Sequence, residues 1–166
     1  RAILRAAVCG QVAVMFPMIT STGEVRQAKD CLEEARQQLE AAGVPYGQVQ
    51  VGIMIETPAA VMLSGELARE VDFFSIGTND LTQFTLAADR QNADLTKYLN
   101  PYHHAVVRLI EMTIQNAHAC GIWVGICGEL ASDEKFLGKL IQLQVDEMSV
   151  VPSSVLTLRA KIASLG

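Results

Sequence analysis

Residues 49–80 read VQVGIMIETPAAVMLSGELAREVDFFSIGTND, and this stretch decides the fold. Val49–Glu56 is a near-continuous apolar run, the pattern of a strand covered on both faces. Thr57-Pro58 then opens a helix, because proline suits a first turn whose N–H lacks a partner in any case. That helix is expected to run to about Glu70. Val71–Gly77 (VDFFSIG) is a second strand, followed by Thr78-Asn79-Asp80 and a helix through about Ala88. Two strands joined by a helix need a crossover connection, so they pair in parallel.

The same alternation extends in both directions. Upstream, Val12–Met18 (VAVMFPM) reads as a strand stopped by Pro17. Ser21-Thr22-Gly23-Glu24 forms a capping box for a helix whose apolar face is Val25, Ala28, Leu32, Ala35, Leu39 and Ala42. Gly43 and Pro45 end it. Downstream, the polar segment Asp89–Pro101 is the longest loop and is positioned to cover a site. Val106, Leu109, Ile110, Thr113, Ile114 and Ala117 mark a helix that stops at Gly121. Ile122–Cys127 (IWVGIC) is a fourth strand, Ser132 is expected to cap the helix after it, Val145–Val150 is a fifth strand, and Pro152 opens a last helix.

Two architectures satisfy this pattern: an open doubly wound sheet, or part of a (β/α)8 barrel. A complete barrel takes about 250 residues, and five βα units in 166 residues correspond to five-eighths of one. The chain opens at Arg1 with no basic-then-apolar signal segment, so it is expected to be either processed or an excerpt, and the strand count favours an excerpt. It is 50% hydrophobic with mean hydropathy +0.25, the composition of a globular domain and not of a disordered tail. Thirteen basic and 18 acidic residues give a scattered net charge of −5, with no basic footprint for nucleic acid or anionic lipid. No apolar run reaches the roughly 18 residues of a membrane span. Open barrel strands would leave two sheet edges, so the isolated segment is expected to be marginally stable, self-associating or domain-swapped.

Cys9, Cys31, Cys120 and Cys127 lie in no paired metal spacing, and reduced thiols in a cytoplasmic setting fit them best. Cys9, Cys31 and Cys120 read as packing residues on helices. The adjacent pair His103-His104 lacks the one-face spacing that zinc takes on a helix. His118 sits near a helix C-terminus, where it complements the macrodipole, and Trp123 reads as a core residue.

In either architecture, reactive groups gather just past the carboxyl ends of the strands. Those ends are Glu56-Thr57-Pro58, Gly77-Thr78-Asn79-Asp80, Cys127-Gly128-Glu129 and Val151-Pro152. Carboxylates Glu56 and Asp80 at neighbouring ends suit Mg²⁺, a hard cation that takes one or two carboxylates and completes its shell with water and substrate oxygens. Pairing with arginines, or helix capping, would equally account for them. Gly77-Thr78-Asn79 leads a helix, where free N–H groups face an anion or simply make a tight turn. Arg90 can fork onto a phosphate or lie solvated on the surface. Cys127 is placed to act as nucleophile or acid, or to fill space as a small hydrophobe.

Three segments carry a resemblance: VGIMIETPAAV (51–61), EVDFFSIGTNDLTQFTLAADRQN (70–92) and GIWVGICGELASD (121–133). In this order they resemble the C-terminal domain of the phosphoenolpyruvate–protein phosphotransferase family, enzyme I of the bacterial sugar phosphotransferase system. The similarity runs from about Met15–Ile19 to Asp146–Val150. It implies a (β/α)8 barrel that binds phosphoenolpyruvate and Mg²⁺ and makes a homodimer contact. Glu56 and Asp80 then resemble the metal-ligating carboxylates, and Asn79, Asp80 and Arg90 the substrate-binding residues. Cys127 resembles the acid that protonates the enolate of pyruvate. The phosphoryl group would go to a histidine on an N-terminal domain, and from there to the carrier HPr. None of His103, His104 and His118 stands in the acceptor motif, and the substrate-clamping arginines of earlier barrel strands are also missing. The family often has proline where His104 stands, and a glycine-rich turn where this chain has Gln142-Leu143-Gln144.

Rival readings are the C-terminal domain of pyruvate phosphate dikinase or phosphoenolpyruvate synthase, a metal-dependent aldolase or lyase, and an inert dimerising fragment. ETPAA and CGELASD favour the phosphotransferase.

Overall fold

The computed structural model describes residues 1–165. Five parallel strands form one sheet: β1 (Ala13–Phe16), β2 (Gln50–Ile55), β3 (Phe73–Gly77), β4 (Trp123–Cys127) and β5 (Glu147–Met148). Their spatial order is β1-β2-β3-β4-β5. A doubly wound sheet reverses direction at a switch point, and this order has none, so that alternative falls.

The helices are α1 (Ala2–Ala6), α2 (Thr22–Ala41), α3 (Pro58–Met62), α4 (Ser64–Leu67), α5 (Thr78–Leu86), α6 (His104–Ala119), α7 (Glu134–Gln142) and α8 (Pro152–Leu165). The core lies on one face of the sheet. Ile53, Ile55, Phe74, Ile76, Val124 and Ile126 pack there against Val25, Val61, Leu67, Ile110 and Leu140 of the helices. The alternate strand residues line the opposite face, in register: Met15, Gly52, Phe73 and Trp123 in one row, and Met54, Ser75, Gly125 and Glu147 in the next. Gly77 and Cys127 pair above them. Helices on one face and a lumen on the other make this five consecutive βα units of a (β/α)8 barrel.

Helix ends follow the sequence in most places. Ser21 and Glu24 form the reciprocal capping box of α2. Thr57 Oγ1 accepts the Ala60 N–H at 3.1 Å, and Pro58 opens α3. Gly43 (φ +62°) and Gly121 (φ +76°) end α2 and α6, each letting the next residue's N–H reach back to a carbonyl of the last turn. After α7 the same left-handed position is filled by Gln144 (φ +59°), and Val145 N–H donates to Leu140 C=O at 3.2 Å.

Several expectations need correcting. The helix over 57–70 is two pieces, α3 and α4, broken at Leu63 (φ −98°, ψ 6°). Asp133, not Ser132, caps α7: its Oδ1 accepts the Lys135 N–H at 2.8 Å. Ser132 Oγ instead donates to Glu129 C=O at 3.1 Å. Cys9 lies beyond α1, and both Cys9 and Cys31 are exposed rather than packed. Trp123 is half-buried in the lumen, stacked on Phe73 with ring centroids 4.3 Å apart, and is not in the helix-covered core. The segment 89–101 holds one 3₁₀ turn, Ala93–Tyr98.

A repeated V-D device secures the amino ends of the strands. Asp72 Oδ2 accepts the Val51 N–H at 2.7 Å while its own N–H donates to Val51 C=O. Asp146 does the same with Val124, at 2.8 Å, and also meets His118 Nε2 at 3.0 Å. Each aspartate thereby satisfies the first free N–H of a neighbouring strand, which would otherwise be orphaned.

Candidate active site

At the carboxyl ends the expected residues converge. Glu56 follows β2 and is 4% exposed. Its Oε1 accepts the N–H of Met18 at 2.7 Å, from the turn after β1. Burial pushes the carboxyl above its ordinary range against that hydrogen bond; the charge of Asp80 adds to the rise and Arg90 opposes it. A Cβ on Gly77 would stand 3.0 Å from Glu56 Cβ and Oε2, so glycine at this position gives the Glu56 side chain room at the end of β3.

Asp80 lies in the first turn of α5, whose N-cap is Gly77 and therefore offers no side-chain acceptor to the first N–H groups. Arg90 Nη2 pairs with Asp80 Oδ1 at 3.3 Å. The arginine-pairing alternative is thus realised for Asp80, by a residue the sequence had placed at the same site. Arg90 N–H also donates to Gln83 Oε1 at 2.8 Å, anchoring the start of the long loop to α5.

The ends of β3 and β4 are braced to each other. Thr78 Oγ1 donates to Cys127 C=O at 2.7 Å, and Asn79 Oδ1 accepts the Glu129 N–H at 3.1 Å. Asn79 therefore has its Nδ2 end left for a ligand oxygen. Gly128 takes φ +89°, and a Cβ there would run into Thr78 Oγ1, so the turn requires glycine. Loop 89–101 walls a cleft of about 290 Å³ with Asn79, Thr82, Arg90, Thr96, Leu99 and Glu129, which fits its expected covering position.

Cys127 ends β4 on the lumen face, half-buried, with Ser75 Oγ 3.8 Å from its Sγ. Burial raises the thiol, the Ser75 bond opposes this, and the charges of Glu56, Glu147 and Asp80 raise it further. A thiol so placed keeps its proton at neutral pH. This disfavours the nucleophile reading, which needs a thiolate, and suits an acid. The histidines take other work: His103 Nδ1 accepts the Ala105 N–H at the start of α6, His104 is exposed, and His118 serves Asp146.

Among the described residues no three His, Cys, Asp or Glu side chains cluster as a preformed metal cage. Glu56 and Asp80 remain a two-carboxylate donor set of hard oxygens, one buried with a single N–H partner. That fits a cation which keeps water and substrate oxygens in its shell, as Mg²⁺ does. Sequence reasoning missed Ser75 and Glu147, and read Thr78 only as part of the Gly77-Thr78-Asn79 turn. The period of two along VDFFSIG and VDEMSV places Ser75 and Glu147 on the lumen face, and that signal was present.

A partial barrel with acids, a thiol and an arginine at its strand ends is the setting for an enzyme domain of the barrel class, and the sequence as a whole places the chain in a family. Residues 1–166 match the family model for the PEP-utilising enzyme, PEP-binding domain, and the chain belongs to that family. Among curated relatives, phosphoenolpyruvate-protein phosphotransferases from Streptococcus equinus and from Lactococcus lactis subsp. cremoris are each 48% identical to it over 99% of its length. That of Listeria monocytogenes is 46% identical. The chain spans 29% of the length of these relatives. In fold it is similar to a citrate lyase from Burkholderia xenovorans (TM-score 0.67, 18% identity, covering 96% of this chain and 51% of that one). A Haloferax volcanii malate synthase is also similar (TM-score 0.63, 16% identity, 88% and 43%). No described helix is long and apolar enough to cross a membrane.

Proposed function

We propose that this chain is the phosphoenolpyruvate- and Mg²⁺-binding portion of a phosphoenolpyruvate–protein phosphotransferase. The phosphoryl group passes to a histidine on another domain of the same protein and then to HPr, and pyruvate is released. The protein acts in the cytoplasm as a homodimer joined through this domain. The observation that carries the reading is the gathering of Glu56, Asp80, Arg90 and the half-buried Cys127 at the carboxyl ends of β2, β3 and β4.

Loss of the phosphoryl group leaves a pyruvate enolate, so negative charge must be held while the P–O bond breaks. A bound Mg²⁺ ion supplies Lewis-acid neutralisation of that charge. Glu56 and Asp80 provide its oxygen donors. Arg90 and the Asn79 amide bind phosphoryl oxygens, and the loop that Arg90 begins shields them from water. Cys127 then gives its proton to the methylene carbon.

Cys127→Ala in the whole protein tests this. Release of pyruvate should fall by about 10²–10⁴-fold, the usual contribution of a positioned acid. Phosphohistidine formation from phosphoenolpyruvate should be much less affected. Equal loss of both would remove the acid role.

A further inference from the structure

Among the described residues, three that are not glycine take a positive φ: Met18, Ala87 and Gln144. Ala87 and Gln144 follow α5 and α7, where a left-handed residue ends a helix. Met18 (φ +56°) has no helix to end. It lies between β1 and α2, and with 50% exposure its side chain is not what the core requires there. Strain of this kind persists where the surroundings impose it, and it clusters at functional sites.

The bend places two backbone groups. Pro17 has no N–H, so the first peptide N–H after β1 is that of Met18. It donates to Glu56 Oε1 at 2.7 Å, in the range of a charge-assisted bond. The left-handed turn then returns Ile19 to the core at 6% exposure, and its C=O accepts Thr57 Oγ1 at 3.5 Å. Two consecutive residues thus grip Glu56 and Thr57, the pair that follows β2.

This grip makes the two carboxylate oxygens of Glu56 unequal. Oε1 is held by the N–H. Oε2 is turned to the end of β3, 3.0 Å from where a Cβ on Gly77 would stand, and Gly77 is the N-cap of the helix that carries Asp80. A cation shared by Glu56 and Asp80 meets Oε2. At Oε1 it would face the positive end of the Met18 peptide dipole.

We propose that Met18 is a positioning residue whose N–H keeps Glu56 a one-oxygen ligand, so that the site selects Mg²⁺ over Ca²⁺. Mg²⁺ demands near-octahedral geometry from single oxygens, whereas Ca²⁺ takes more oxygens and accepts both from one carboxylate. The inference rests on the proposed cation site at Glu56 and Asp80.

The test is competition calorimetry of Mg²⁺ against Ca²⁺, with phosphoenolpyruvate present, on the whole protein. Replacing the Met18 amide by an ester removes the N–H and leaves the side chain. The affinity ratio should move about tenfold toward Ca²⁺, the lower end for a hydrogen bond to a charged group. Met18→Gly keeps the N–H and suits a left-handed turn, so it should move the ratio by less than about threefold. In the unmodified protein, the Met18 amide resonance should keep its hydrogen-bonded position when Mg²⁺ binds, and lose it in Glu56→Ala. An ester protein with the wild-type ratio, a Met18→Gly shift as large as the ester's, or a Met18 resonance that Mg²⁺ moves to its Glu56→Ala position would overturn the proposal. A wild-type protein that binds neither cation would overturn the metal site itself, and this selectivity with it.

Discussion

Carboxylates stand at both ends of the sheet, and they are treated oppositely. At the amino ends, Asp146 accepts hydrogen bonds from Val124 N–H and His118, and these hold it below its ordinary range despite its partial burial. At the carboxyl ends, Glu56 is almost fully buried with one N–H donor, near a second negative charge, and is pushed up. One end spends its acids on satisfying the backbone. The other gives Glu56 a single N–H donor and Asp80 only the long pair with Arg90 at 3.3 Å. In a barrel of this kind the first pattern marks stability and the second marks chemistry.

Substitution should separate the two ends. Asp146→Ala leaves the Val124 N–H without its acceptor, and should cost about 1–3 kcal/mol in chemical denaturation. Binding of phosphoenolpyruvate by the folded protein should not change. Because Asp146 is lowered in the folded state, its contribution is full above the unfolded carboxylate range and fades as pH falls through the lowered value.

Glu56→Gln should act in the opposite direction. A carboxyl raised on folding gives stability below its unfolded pKa and loses it as pH rises through the folded one. Removing that charge should therefore stabilise the Mg²⁺-free protein at neutral pH by about 1 kcal/mol, the common trade at functional sites. A loss of stability at neutral pH would show that Glu56 is already well paired.

The smallest effect belongs to the turn after α7. Gln144 holds a left-handed conformation that glycine adopts freely. Gln144→Gly should gain about 0.5–1 kcal/mol, offset in part by the added freedom of the unfolded chain. A net loss would mean the Gln144 side chain contributes more than its backbone strain costs.

The fold was legible because βαβ periodicity and capping chemistry are local. VQVGIMIE, the Ser21–Glu24 box and the stops at Gly43 and Gly121 each declare themselves within a few residues. What failed was set by neighbours. Leu63 gives no local cue that a helix breaks there. Ser132 and Asp133 are both good caps, and the 3₁₀ turn over Glu129–Ser132 decided between them. Trp123 belongs to a strand whose two faces meet a covered core and an open lumen, a difference that apolar runs do not encode. At the candidate site, Glu56, Asn79, Asp80 and Cys127 could be singled out because strand ends can be counted along the chain, and Arg90 because it stands at the start of the long loop. Glu147 was passed over because it sits one row below the end of β4, where counting strand ends does not reach, although the period of two along VDEMSV places it on the lumen face.

Calorimetric titration of phosphoenolpyruvate into the whole protein, with and without Mg²⁺, reaches the central claim most directly. We expect binding heat that requires Mg²⁺ and disappears in Glu56→Ala. Undiminished heat in the presence of a chelator, or in Glu56→Ala with Mg²⁺ present, would contradict a metal held at these strand ends.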